Sequence, residues 1–363
     1  MKIPADISAR IDSLRFPLII GIAFLHAYAP FTFGTVKTVP VPVKTIGLFF
    51  SSILGHISVP LFFIISGYLF FNNYSLTGDC YRKKTGSRIR SLMVPFIIWN
   101  VAVMAVKTII LSVPQLSHLD NHPDGFTFEL SPGGILIFIY RFFNDPAAGQ
   151  FWFLRDLFIF SMISPVLWFM LKRVPWLGIV LFLPLWFLRI TYPLMVLDEI
   201  YRSLPFFYIG GLLVTRKLDL ARFDGYVTPA GLLYGVLIIV DLFVLVSFRS
   251  DSCPLFILFI LHHVTVSAGI VLAWIVTSKI SKGIMQLLLK LSPYALFVFC
   301  AQLPFLDILQ KVWFHVLSPT TSPGYLLLYF GTTTVTVTAT LVTGIVIRKF
   351  APPVYSLLTG GRR

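Results

Sequence analysis

Long apolar runs recur along this chain and leave it one kind of solvent. Stretches at roughly 16–34, 46–71, 92–113, 151–171, 175–191, 204–215 (short), 226–248, 254–277, 291–312 and 325–347 are dominated by Leu, Ile, Val and Phe. A helix needs about 20 apolar residues, within a range of about 17–25, to cross the hydrocarbon core of a bilayer. The runs are continuous rather than alternating, which excludes a β-barrel. A further stretch, 132–143, is too short to span easily and reads as a re-entrant or interfacial piece. Residues 16–29 end in Ala27-Tyr28-Ala29 like a signal peptide, but Pro30 would follow the cut directly and the apolar run continues. They are read as an uncleaved first span. The expectation is an all-α integral membrane protein with about ten transmembrane helices. It is read as a single polytopic domain over residues 1–363, with no repeat, linker or appended soluble domain.

Composition agrees with that environment. Charged residues make up 12% of the chain, about half of the roughly 25% usual in soluble domains, so a water-soluble enzyme is excluded. The 57% hydrophobic content excludes disorder. The net charge of +14 belongs with membrane lipid rather than nucleic acid, because no nucleic-acid motif accompanies it. With the N-terminus inside, the inner segments hold Arg10, Arg15, Arg82, Lys83, Lys84, Arg88, Arg90, Lys172, Arg173, Arg216, Lys217, Arg348 and Lys349. The other loops hold few basic residues, and 114–130 is acidic with Asp120, Asp124 and Glu129. That bias places both termini in the cytoplasm. Cys80, Cys253 and Cys300 have no metal-ligand spacing, and no metal is expected.

Ionisable groups are costly inside a bilayer, so each one is a functional candidate. His26 lies eleven residues beyond Arg15, about 16 Å deeper at a helical rise of about 1.5 Å per residue. It is open to service as base, nucleophile, proton relay or buried hydrogen-bond partner. Ser66-Gly67-Tyr68 reads by itself as a helix-packing motif. The basic run Arg82-Lys83-Lys84, with Arg88 and Arg90, reads as topology and lipid contact or as a phosphate clamp. Trp152 and Arg155-Asp156 put an aromatic face and charges at the mouth of a bundle. His262-His263 lie mid-span, with at most one facing a cavity. Asp241 and Asp307 are lone acids open to Arg or His partners.

Taken in order, several segments resemble the acyltransferase-3 family of membrane acyltransferases, which includes bacterial O-acetyltransferases of surface polysaccharides. Arg10-Ile11-Asp12-Ser13-Leu14-Arg15 followed by His26 is similar to the family's opening R-x-D-x-L-R and its basic-x10-His pattern. Val59-Pro60-Leu61-Phe62-Phe63-Ile64-Ile65-Ser66-Gly67-Tyr68-Leu69, Arg88-Ile89-Arg90 before Pro95-Phe96, and Trp152-Phe153-Leu154 follow in the family's order. The chain departs from the pattern in having Arg88-x-Arg90 for R-x-x-R, Phe96 for Tyr, and Gln302 where a second His stands. The resemblance implies an acyl-CoA donor, most often acetyl-CoA, a carbohydrate hydroxyl on a lipid-linked or periplasmic glycan as acceptor, and a bacterial inner membrane. It implies reaction chemistry at His26 with Arg15 and Asp12. Acyl-CoA would be held by Arg88, Arg90, Lys84, Ser66 and Tyr68, and the acceptor by Trp152, Arg155 and Gln302. A glycan transporter or exporter is the rival reading, and a scaffold for a glycan-synthesis complex a third.

Overall fold

A computed structural model describes residues 3–28, 39–112, 140, 142–144, 146–187, 195–247 and 255–361. The expected re-entrant stretch and acidic loop therefore lie almost wholly outside the described residues, as do Arg141, Cys253 and Arg363. Among the described residues the structure is helical, with no strand. The elements are α1 (Ala5–Ala27), α2 (Val41–Phe71), α3 (Gly78–Arg88), α4 (Val94–Ser112), α5 (Trp152–Met162), α6 (Ser164–Arg173) and α7 (Pro175–Phe187). They continue with α8 (Met195–Thr215), α9 (Val227–Ser247), α10 (Leu255–Val276), α11 (Lys282–Leu291), α12 (Ala295–Leu317), α13 (Ser322–Phe350) and α14 (Pro352–Leu358). Two π-helical stretches interrupt this pattern, Leu48–Gly55 inside α2 and Ile89–Met93 between α3 and α4.

Six of these helices are long and apolar enough to cross a membrane, or seven if α5 and α6 form one span bent by 64° at their break. The bend follows from Pro165, which cannot donate the backbone bond that would continue α5. α1 has 23 residues, enough to span, but carries Asp6, Arg10, Asp12 and Arg15 in its first half. The helix thus begins earlier than the expected first span, 16–34, and ends sooner, at Ala27. The run at 204–215 looked short, yet α8 has 21 residues. The extra turns carry Glu199, whose carboxylate is paired with Arg155 at 2.5 Å. That partner makes a charge tolerable inside the helix.

Backbones approach closely at two crossings that position the site. A methyl group on Gly67 of α2 would collide with the Phe207 carbonyl oxygen of α8, and one on Gly210 of α8 with the Ile64 carbonyl oxygen of α2. Likewise Gly21 of α1 fits against Ser58, and a methyl on Gly55 would meet the Gly21 carbonyl oxygen at 3.0 Å. Small residues at membrane crossings permit this approach, and dispersion attraction between the closely packed backbones replaces the missing hydrophobic drive. The basic segments gather at one end of the bundle. Arg10 pairs with Asp224, Nη1 donating to Oδ1 at 2.9 Å, which ties the start of α1 to the turn before α9. Trp99 Nε1 donates to the Leu358 carbonyl at 3.0 Å, docking α14 on α4. Cys300 is buried among apolar neighbours, as a packing residue is.

Candidate active site

Between α1, α2, α5 and α12, beside the π-helical junction of α3 and α4, lies a cavity of about 660 Å³. One stripe of each helix builds it. On α1 the stripe is Asp12, Arg15, Ile19 and Ile22, and on α2 it is Phe62, Ile65, Ser66 and Leu69. Both follow the three-and-four spacing that keeps side chains on one helical face. Polarity is segregated along the cavity. Asp12 and Arg15, joined Oδ1 to Nη1 at 3.1 Å, stand at one end with Arg88. At the other end Phe62, Phe153 and Phe299 form a chain of edge-on rings, with centroids 5.9 Å and 5.6 Å apart, beside Ile22. The Asp12–Arg15 pair is about a third exposed (35% and 37%), so water screens it and it holds its members only weakly.

Arg88 also lines a second hollow of about 720 Å³, with Lys83, Lys84 and Ser87. Its guanidinium lies 5.5 Å from the Phe70 ring centroid, a contact that holds a cation without neutralising it. The other members of the expected donor set are placed differently. Lys84 Nζ donates to the Asn72 carbonyl at 2.8 Å and to the Phe70 carbonyl, so it caps the end of α2. Arg90 is exposed and lies beside Gly361, outside the cavity lining. Ser66 lines the cavity, but Tyr68 does not. Two residues on a helix turn roughly 200°, which takes the Tyr68 side chain off the face that Ser66 presents to the cavity.

His26 stands in the last turn of α1, half-buried, and does not line the cavity. It continues the lining stripe by one turn past Ile22, beyond the chain of rings. Gln302 does the same on α12, one turn past Phe299, and is fully buried. Trp152 is half-buried and stacks on Phe63 with centroids 6.0 Å apart. Arg155 is 2% exposed and has partners throughout. Its Nε donates to Asp156 Oδ1 at 3.0 Å, its Nη1 to the Phe143 carbonyl at 2.8 Å, and its Nη2 to Glu199 Oε2 at 2.5 Å. Ser203 adds a bond to Asp156 at 3.2 Å. Arg155 is thus the centre of a knot joining α5, α8 and the segment before α5.

Sequence reasoning missed one cluster. His262 Nδ1 lies 2.9 Å from Asp241 Oδ2, and its Nε2 lies 3.2 Å from Nδ1 of His56. Asp241 and His262 were each visible as intramembrane candidates. His56, 206 residues from His262, had no spacing to announce it. Neither His56 nor Asp241 lines the cavity. His263 turns away, with Nδ1 2.7 Å from the Phe259 carbonyl and its ring 4.4 Å from that of Trp186. Neither His262 nor His263 lines the cavity. Among the described residues no group of His, Cys, Asp or Glu has metal-site geometry.

Comparison with known proteins bears on this arrangement. Residues 8–342 match the model of a family described as an acyltransferase domain, the acyltransferase-3 family. A curated relative, the succinoglycan biosynthesis protein ExoH of Rhizobium meliloti (strain 1021), is 26% identical over 377 residues, covering 99% of this chain and 93% of that protein. No solved structure matches. Neither match supports the transporter reading. The family match takes in α1 to α12 and most of α13, and the four helices that build the cavity are all within it: this chain belongs to the acyltransferase-3 family and is a multi-pass membrane acyltransferase.

Proposed function

We propose that this protein moves an acyl group, most simply acetyl, from cytosolic acyl-CoA to a hydroxyl of a cell-surface or lipid-linked glycan. The observation that carries the reading is the polarity of the cavity: cationic at one end, apolar at the other, with His26 one turn beyond. Acyl-CoA has the matching polarity. Its phosphates pair with Arg88 and Arg15 and with Lys83 in the adjoining hollow, through charge-assisted bonds. Its uncharged arm runs along the apolar stripes of α1 and α2 toward the rings. The succinoglycan role named for the relative supports a glycan as acceptor.

At the far end the imidazole of His26 takes the proton of the acceptor hydroxyl while that oxygen attacks the thioester carbonyl. The carbon–sulfur bond then breaks, and the thiolate takes the proton from the imidazolium, so no net proton is released. Lys84 and Arg155 act in this scheme as positioning residues, one fixing the end of α2 and the other the start of α5. The bundle has ten crossings when α1, α7, α8 and the bent α5–α6 pair join the six longer spans, with both termini on the cytosolic side of a bacterial inner membrane.

Thiol release from acetyl-CoA by the purified protein, with and without added glycan, tests the reading. His26→Ala is expected to lower transfer by about 10²–10⁴-fold, the range of general acid–base catalysis, while the protein still accumulates. Transfer at the wild-type rate in that variant would remove His26 from the mechanism.

A further inference from the structure

Three titratable side chains outside the cavity stand in a row across α9, α10 and α2. Asp241 Oδ2 lies 2.9 Å from His262 Nδ1, and His262 Nε2 lies 3.2 Å from His56 Nδ1. The row ends on the backbone, because His56 Nδ1 is also 2.6 Å from the Ser52 carbonyl oxygen. Exposure rises along it: Asp241 is fully buried, the His262 side chain is 17% exposed, and His56 is exposed. His56 stands at the midpoint of α2, where an ionisable group is costly and faces the bundle interior or water.

The partners fix where the hydrogens lie. A carbonyl only accepts, so His56 Nδ1 carries hydrogen and shares it between Ser52 and His262. That makes His262 Nε2 an acceptor. A neutral imidazole then keeps its hydrogen on Nδ1, which donates it to Asp241. The atom left over is His56 Nε2, a lone pair at the exposed end of the row. Other titratable groups face the row from the packed helices. Arg202 of α8 acts electrostatically on His56 and His263, and Asp241 acts on Tyr234 of α9. His263 is bonded to the Phe259 carbonyl. α1 carries His26 and Tyr28 past the π-helical stretch of α2, and α13 brings the Tyr329 hydroxyl to Ser51 at 2.6 Å.

We propose that His56, His262 and Asp241 form a proton-binding relay, with His56 as its port and His262 as its store. These residues line neither cavity, and a proton is a ligand that needs none. The step balances. A proton adds to His56 Nε2, the hydrogen on His56 Nδ1 passes to His262 Nε2, and His262 becomes an imidazolium against the Asp241 carboxylate. His56 stays neutral with its hydrogen on the opposite nitrogen, and the charge rests in a charge-assisted bond to its counter-charge. Loading also breaks a bond. His56 Nδ1 then holds a lone pair and no longer donates to the Ser52 carbonyl, which belongs to the π-helical stretch Leu48–Gly55. Such π-helical turns recur at functional sites. In the same stretch Ser51 Oγ donates to the Phe24 carbonyl of α1 at 2.5 Å, two residues from His26. The relay thus makes this stretch responsive to pH. The inference goes beyond the acyl-transfer reading and stands without it.

Nitrogen NMR of the full chain in lipid nanodiscs, with labelled histidine, tests the relay between about pH 8 and pH 5, where histidine titrates. Comparison with His56→Gln and His262→Gln identifies the two signals. On acidification His56 is expected to move its hydrogen from Nδ1 to Nε2 while staying neutral. His262 is expected to become doubly protonated at the same midpoint, as strongly interacting groups titrate together. In Asp241→Asn, His262 is expected to stay neutral. A doubly protonated His56 in the wild type, a His262 that never charges, or separate midpoints each overturn the relay, as does an Asp241→Asn protein that titrates like the wild type. Should Asp241→Asn fail to accumulate, the wild-type exchange of hydrogens decides by the same criteria. The Ser52 carbonyl carbon, identified by labelling Ser and Ile together, is expected to shift at that midpoint. A constant Ser52 signal overturns the link to the π-helical stretch.

Discussion

Residue by residue, identity was easier to read than role. Asp12, Arg15, Ser66 and Arg88 were singled out from a motif, and the fold brings them to one cavity. Lys84, Arg90 and Tyr68 came from the same motifs and point elsewhere, because a helix turns about 100° per residue and neighbours in sequence face different partners. Arg155 shows the limit best. In sequence it is a charge at the mouth of a bundle, whereas in the fold its donors are committed to Asp156, Glu199 and the Phe143 carbonyl. Asp156 is its neighbour in sequence, but Glu199 lies 44 residues away, so no local pattern could supply the rest of the set. Arg155→Ala should therefore cost stability by about 3–5 kcal/mol, the usual result of stripping one partner from a buried pair. Chemical or thermal unfolding in detergent measures this. A variant of normal stability that has lost only acceptor affinity would return Arg155 to substrate contact.

At the level of helices, the apolar runs were legible because each must be long and continuous to satisfy its own backbone in lipid. The runs at 226–248 and 325–347 became α9 and α13 within a few residues of their expected ends. α8 was under-read because its first turns carry Glu199, a charge that only the fold pairs, with Arg155. The close approach of α2 and α8 was foreshadowed by Gly67, while Gly210 gave no sign of being its partner. Adding bulk at this crossing must push two backbones apart. Gly210→Val is expected to lower stability by about 1–3 kcal/mol, the usual cost of overpacking, read as a fall in melting temperature. An unchanged melting temperature would mean that the two backbones do not touch there.

For the whole molecule, charge bias predicts orientation and the fold supplies the landmarks to check it. Ser281 precedes α11 near the basic end, and Ser318 links α12 to α13 at the other. In a background with Cys80, Cys253 and Cys300 replaced by Ala, Ser318→Cys should react with an impermeant maleimide on intact cells. Ser281→Cys should react only after the membrane is opened, and the reverse pattern would invert the topology. What the sequence could not show is that polarity runs lengthwise through the bundle, since that needs stripes from four helices to converge.

The chain of rings formed by Phe62, Phe153 and Phe299 has an electrical consequence. A bacterial membrane holds a voltage, and moving one elementary charge through 100 mV involves about 2.3 kcal/mol. An acetyl group is neutral and passes such a point without electrical work, whereas CoA, phosphate and hydronium do not. On the proposed reading, rings placed between the cationic mouth and His26 would let an uncharged acyl arm through while holding back ions, and Phe153→Ala is expected to raise ion leakage across vesicles that carry the protein.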